Sequence, residues 1–411
     1  MNRPRRLTRR SFLGLAAAGV AAGISACGGD KGKAPEATAT PEPSPTPNWT
    51  PTPTQDVIAS PVAGYSDPTK WQGRTLTAAA WGGDYQDAQE KAFFDPFAQA
   101  TGATIQIKRA DLGDLKSQVE AENVAWDVVT TPMEDVLDLA HGQYLEPIDY
   151  KVVDRTALFD EIALQYGVGV AYYSTVMTYP AGSSNAPQDW TDFWDVPALG
   201  PDEKPEPIAA RSLRRSPIGT LEFALLADGV TTDALYPLDV ERAFASLDRI
   251  RASVIVWWQE GKEPVQLVSA DQAGMASAWN TRIWELDLAE SVRVQWFGGM
   301  LSADSWVVPK GAPNADIAMD FVNFATRAVP SANFGRLVPF GPVNKDALSL
   351  LRPDRAAVLP SAPANKAVQF VQNWNYWADN RDALTTRFED WLQTKPEQSA
   401  SPTVQEGGVE D

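Results

Sequence analysis

Three short runs set an aromatic or a charged side chain beside small residues, and a fourth carries two threonine hydroxyls, where a strand is expected to end or begin. They are Trp81-Gly82-Gly83-Asp84, Thr130-Thr131-Pro132, Trp279-Asn280-Thr281-Arg282 and Asp304-Ser305-Trp306. Indole faces with carboxylates suit a cationic head on an apolar chain. The ring quadrupole attracts the cation, and the carboxylate accepts charge-assisted hydrogen bonds from it. A guanidinium such as Arg282 suits a carboxylate instead. Covalent catalysis is poorly served. The one histidine, His141, closes an expected helix, where its natural role is as a charge partner of the C-terminus. Zinc sites built from His and Cys are excluded by count, and no Walker-type phosphate loop occurs. Carboxylate pairs of the glycoside-hydrolase kind remain formally available, but no local signature marks one. The chain is therefore expected to bind rather than to catalyse, without cofactor or metal.

These groups need elements to hold them. Residues 76–81, 103–108 and 126–130 read as strands, and residues 85–100, 115–122 and 133–141 as helices, with Phe93, Phe94 and Phe97 on one helical face. Strand and helix alternating at this spacing predict an open parallel α/β sheet. A second block, at about 174–296, has strands at 206–211 and 274–279. Its helices are expected at 220–227 and 238–250, and from 279 through 290. Residues 305–309 return to strand, 314–327 are helical, and a helix near 375–392 closes the body. Ligands in such folds sit at the carboxyl ends of strands. Two blocks whose strand ends face each other make a cleft.

The ends of the chain read differently. Arg9-Arg10-Ser11-Phe12-Leu13-Gly14, an apolar run to Ile24 and then Ser25-Ala26-Cys27 resemble a bacterial twin-arginine signal ending in a lipoprotein cleavage site. Cys27 is the only cysteine, so no intramolecular disulfide can form and its expected job is to carry a lipid. A Pro/Thr-rich stretch at about 34–61 reads as an extended spacer. The formal charge of -18 argues against nucleic acid as a partner. The expected division is a signal at 1–26, a lipid-anchored linker at 27–66, lobe 1 at 67–173, lobe 2 at 174–298, a return to lobe 1 at 299–394 and an acidic tail at 395–411.

Taken in order, Trp81-Gly82-Gly83-Asp84-Tyr85, Trp126-Asp127-Val128-Val129, Met275-Ala276-Ser277-Ala278-Trp279-Asn280, Asp304-Ser305-Trp306-Val307-Val308-Pro309 and Val343-Asn344-Lys345 resemble the extracellular solute-binding proteins of ABC importers, in the spermidine/putrescine branch. The resemblance covers roughly residues 71–392. It implies a two-lobed type II periplasmic-binding fold that closes around ligand, held outside the cytoplasm, working as a monomer and delivering a small amine to an ABC permease. It also implies that Trp81 and Phe340 line the cleft, that Trp279 stacks on the alkylamine and that Asp304 receives an ammonium group.

Two positions depart from that pattern. Arg282 stands where a polyamine binder places an acid, and the acid expected near Gly219 is missing. Asp304 with Arg282 would fit a zwitterionic ω-amino acid of γ-aminobutyrate type. Tryptophan platforms also stack on sugar faces, so a sugar binder stays open. So does, in a different class, a secreted carboxylate-dependent hydrolase. Each residue also has a plainer reading. Trp81 and Trp279 are core candidates. Asp304 is a candidate turn cap, and Asp84 a cap for a helix starting at Tyr85. Arg282 is placed to pair with Glu285, Thr131 to start a helix, and Trp257-Trp258 to pack between elements. Trp306 borders the pocket if Asp304 does.

Overall fold

The structure, a computed structural model, describes residues 57–200 and 203–394. The leader, Cys27, most of the proline-rich spacer and the acidic tail lie outside these residues. The body carries one mixed sheet in the order β2-β1-β3-β8-β4-β7-β5-β6, with β9 paired to β8. Its strands are β1 (Thr75–Ala80), β2 (Thr104–Arg109), β3 (Val128–Pro132), β4 (Val168–Pro180), β5 (Arg211–Arg214), β6 (Val254–Trp258), β7 (Met275–Trp279), β8 (Val292–Val307) and β9 (Phe370–Val371). The helices are α1 (Gly83–Gln89), α2 (Asp95–Thr101), α3 (Leu112–Glu120), α4 (Met133–His141), α5 (Trp190–Trp194), α6 (Pro217–Ala227) and α7 (Val240–Ile250). They continue with α8 (Glu263–Ser269), α9 (Asn280–Glu285), α10 (Ala315–Ala325), α11 (Ala328–Leu337), α12 (Pro353–Ala357), α13 (Pro363–Lys366) and α14 (Trp374–Gln393).

The expected parallel sheet holds only in part. β1 pairs in parallel with β2 and β3, and β5 with β6 and β7. Between these sets run β4 and β8, long strands that are antiparallel to each other, to β3 and to β7. β8 is buried almost throughout, so its sequence lacks the period-2 alternation that marks a half-exposed strand. Only its last residues are legible as strand. β5 also starts later than expected, because Pro205 and Pro207 precede it and proline cannot donate to a ladder. The helix expected to reach residue 290 stops at Glu285, and Asp287 adopts a left-handed φ of 57° just beyond it.

Hydrophobic cores form at the two ends of the sheet. The first gathers Phe93, Phe94 and Phe97, which sit on α2 and the π-helical turn before it, with Trp306, Phe321 and Phe324. Phe94 stacks on Phe321 at 5.0 Å, and Trp306 meets Phe321 edge-on at 5.1 Å. The second gathers Trp190, Phe193, Phe223, Trp377 and Phe388. A smaller cluster around Val176, Ala276, Val292 and Trp296 adjoins β7. Each such aromatic taken out of water contributes about 2 kcal/mol. β4 and β8 send residues into clusters at both ends, so they are the crossing points between them. The end of the 299–394 segment departs from its expected place. α14 buries Trp377, Leu384 and Phe388 in the second core, while Arg381 pairs with Asp135 and Asp138 of α4. Trp257 and Trp258 are packing residues: Trp257 meets Phe388 and Trp391, and Trp258 is fully buried.

Candidate functional site

A cavity of about 570 Å³ lies where β1, β3, β5, β7 and β8 bring their functional residues together. One wall is acidic. β1 ends at Ala80, and Trp81 follows. Gly82 and Gly83 then turn the chain into α1 with φ of 88° and 65°, a conformation that favours glycine. Asp84 is not the cap of this helix. The cap position is Gly82, and Asp84 sits exposed in the first turn, facing the cavity. Tyr85 is held by Trp81, Phe334 and Phe340, with ring centroids 5.4, 5.2 and 5.0 Å away. Asp304 of β8 is opposite Pro132, the last residue of β3, and α4 begins immediately afterwards. That register brings Glu134, in the first turn of α4, to the same cavity as Asp304.

Asp304 is only 4% exposed. Burial pushes its carboxyl up to about 7; the nearby Glu134 adds to this, while Tyr85 and Arg282 oppose it. The Tyr85 hydroxyl is directed toward Asp304 but closes no hydrogen bond of ordinary geometry. Burial, with Asp304 as a further cause, raises the Tyr85 hydroxyl well above the usual tyrosine range, and Tyr173 is raised the same way with Glu134 contributing too. Glu134 accepts a hydrogen bond from Gln372 Nε2 at 2.8 Å.

The other wall is cationic. Arg214 ends β5, Trp279 ends β7, Arg282 lies in α9, and Lys262 precedes α8. The Arg214 and Arg282 guanidinium carbons lie 5.3 and 5.6 Å from the Trp279 ring centroid, within cation–π range. Trp258 meets Trp279 edge-on at 5.3 Å, and a Cβ added at Gly261 would come within 2.6 Å of the Trp279 ring. Trp279 is thus a platform for the protein's own guanidinium groups. Arg282 also pairs with Glu285, whereas among the described residues Arg214 has no acidic partner.

Of the residues singled out from sequence, Trp81, Asp84, Trp279, Arg282, Asp304 and Phe340 meet in this cavity. Trp306 and Thr131 do not. Trp306 is opposite Thr130, two residues deeper into the sheet than Asp304, where Phe93, Phe94 and Phe321 cover it. Thr131 is fully buried; strand alternation turns it from the face carrying Pro132, which lines the cavity instead. Sequence reasoning missed Glu134, Arg214, Tyr85, Tyr173 and Lys262. The strand-end rule, carried two residues past Pro132, would have found Glu134; Arg214 was hidden by the misplaced β5. The acid expected near Gly219 has a counterpart three residues on, outside the cavity. Glu222 is fully buried and accepts from Tyr236 Oη (2.5 Å), Trp377 Nε1 (2.8 Å) and Gly219 N (2.9 Å). Burial holds it up at about 7 despite these donors.

A larger hollow of about 660 Å³ lies beneath residues 57–62, but Lys91 and Asp95 are the only charged residues in its lining and it holds none of the strand-end groups. Among the described residues no group of His, Cys, Asp and Glu is placed to hold a metal, and no helix is long and apolar enough to cross a membrane.

The family model for bacterial extracellular solute-binding proteins matches residues 92–369. The chain belongs to this family. It is 33% identical over 331 residues to a gamma-aminobutyric acid-binding protein of Pseudomonas aeruginosa, covering 78% of this chain and 91% of that protein. A solved ABC transporter substrate-binding protein from Bradyrhizobium japonicum matches with a TM-score of 0.71 and 34% identity, over 78% of this chain and all of that one. A solved GABA receptor matches with a TM-score of 0.69 and 34% identity, over 79% of this chain and 100% of the other. This family member is an extracytoplasmic substrate-binding protein of an ABC transporter, not an enzyme; it takes a small-molecule ligand to a permease. The spermidine/putrescine branch is not the one its named relatives represent.

Proposed function

We propose that this protein captures a zwitterionic ω-amino acid of γ-aminobutyrate type. The observation that carries this reading is the charge placed in one cavity: Asp84, Glu134 and Asp304 come from α1, α4 and β8, and Arg214, Lys262 and Arg282 from β5, from the turn before α8 and from α9, with Glu285 paired to Arg282. A carboxylate entering this cleft meets two guanidinium groups that lie over one indole ring, and charge-assisted hydrogen bonds of that kind contribute about 1.5–3 kcal/mol each. Its ammonium meets Asp304 and Glu134. A polyamine, as the spermidine/putrescine resemblance implies, would set one ammonium against the cationic wall. The two GABA-binding relatives support the zwitterion independently. The cavity is far larger than a four-carbon amino acid, so contact from both walls requires them to approach each other. The crossing strands β4 and β8 are the proposed hinge, with the two lobes closing around ligand.

The leader completes the proposal. Twin-arginine export, lipid on Cys27 and the proline-rich spacer would keep the cleft near its permease. The first described residues bear on where that tether meets the body: Ile58 N donates to Asn333 Oδ1 at 2.6 Å and Asn333 Nδ2 donates to Ile58 O at 3.2 Å. A thermal-shift panel of ω-amino acids, diamines and sugars tests the ligand class, because a ligand that binds only the folded state raises Tm with its concentration over Kd. γ-Aminobutyrate is expected to raise Tm and putrescine to leave it unchanged. A larger shift with putrescine or a hexose would overturn the reading.

A further inference from the structure

The acidic wall holds two carboxylates where one ammonium group is expected. Antiparallel pairing sets Asp304 opposite Pro132, and the chain enters α4 at once, so Glu134 is tied to Asp304 by register. The groups facing Asp304 are Tyr85 from α1, Glu134 from α4, Tyr173 from β4 and Arg282 from α9; β3 offers only Pro132. Arg282 already pairs with Glu285. The two carboxylates are not equivalent. Glu134 lies half-buried in the first turn of a helix and accepts from Gln372 Nε2. Asp304 is buried on β8, and the Tyr85 hydroxyl faces it without closing a hydrogen bond. A buried carboxyl beside a second acid favours its neutral form.

We infer that buried Asp304, with Glu134 beside it, holds a proton while the cleft is empty and that the ligand's ammonium displaces it, so that capture of the zwitterion releases a proton to solvent. The inference rests on the zwitterion reading above. Asp304 carries the proton on a carboxyl oxygen. The arriving ammonium supplies the missing positive charge, and the proton passes to buffer. Glu134 is thereby a specificity-determining residue. A ligand with a neutral group at this end gains nothing from the second carboxylate and releases no proton. The raised carboxyl of Asp304, at about 7, agrees with this order of events, since it is still protonated near pH 6. The ligand's own groups titrate elsewhere, its carboxyl near about 4 and its amine near about 10, so they do not contribute in that window.

Calorimetric titration with γ-aminobutyrate near pH 6, in two buffers of different ionisation enthalpy, reads the proton directly. The observed heat should change with the buffer in proportion to about one proton released per ligand bound. The dependence should fade by about pH 8.5, where Asp304 is already ionised. Glu134→Gln should bind more weakly but still saturably, and release a smaller share of a proton than the unaltered protein. Saturable binding with the same heat in both buffers would overturn the inference and leave the zwitterion reading standing, and so would undiminished release from E134Q. The absence of binding by any ω-amino acid, in heat and in thermal shift alike, would overturn both.

Discussion

The acidic and cationic walls of this cleft are built on different principles. The acidic wall holds its charges at different depths: Asp304 is buried on a crossing strand, Glu134 is half-buried and accepts from an amide, and Asp84 is exposed. The cationic wall keeps Arg214 and Arg282 half-buried and lays them against an indole that is itself packed by Trp258 and Gly261. Guanidinium groups stay charged at any working pH, so this wall is a constant anion receptor. Buried carboxylates can give up their charge, so the other wall responds to pH and to ligand. One cleft thus combines a fixed end with an adjustable end.

The largest expected effect separates the acidic wall from the core behind it. Trp306→Ala removes a fully buried ring and should cost about 3–5 kcal/mol of stability. Denaturant unfolding would register this, while the folded fraction keeps its ligand affinity. A lost affinity at unchanged stability would return Trp306 to the cleft. Asp304→Asn comes next. Truncating one partner of a buried charged contact costs about 2–5 kcal/mol, so calorimetry should find γ-aminobutyrate binding weakened by roughly 100-fold. On the opposite wall, Arg214→Gln should weaken binding by roughly 10- to 100-fold. Arg282→Gln should do less, because Arg282 already shares its charge with Glu285. Equal losses at the two positions would mean that the Glu285 pair does not matter.

The walls should also differ in how pH moves stability. Asp304 and Glu222 have folded values raised to about 7, against about 3.9 and 4.3 for unfolded Asp and Glu. A raised acid contributes stability that is complete below its unfolded value and is lost as pH rises through its folded value. The Tm of the empty protein should therefore fall between about pH 5 and pH 8. Asp304→Asn should flatten part of that fall, and the rest belongs to Glu222. A Tm that rises over this range would contradict both assignments.

Much of this was legible in the sequence, for identifiable reasons. Trp81 and Trp279 stand at strand ends, with Arg282 three residues beyond the second, and strand ends are where an α/β sheet exposes side chains to a cleft; Asp304 lies within β8, opposite the end of β3. Trp306 misled because residues two apart share a face without sharing a depth. Arg214 was lost because the prolines ahead of β5 shifted its start. The crossing strands β4 and β8 escaped notice because strands covered on both faces do not alternate. Glu134 looked like an ordinary first-turn acid. Only the antiparallel register between β3 and β8 reveals its neighbour.

The claim that the cleft needs opposite charges at its two ends is tested most directly by titrating the protein with three four-carbon ligands. γ-Aminobutyrate has one charge of each sign, putrescine two ammonium groups and succinate two carboxylates. The account predicts that γ-aminobutyrate binds at least about 100-fold more tightly than either, since each competitor places a like charge against one wall. Putrescine or succinate binding as tightly as γ-aminobutyrate would contradict it.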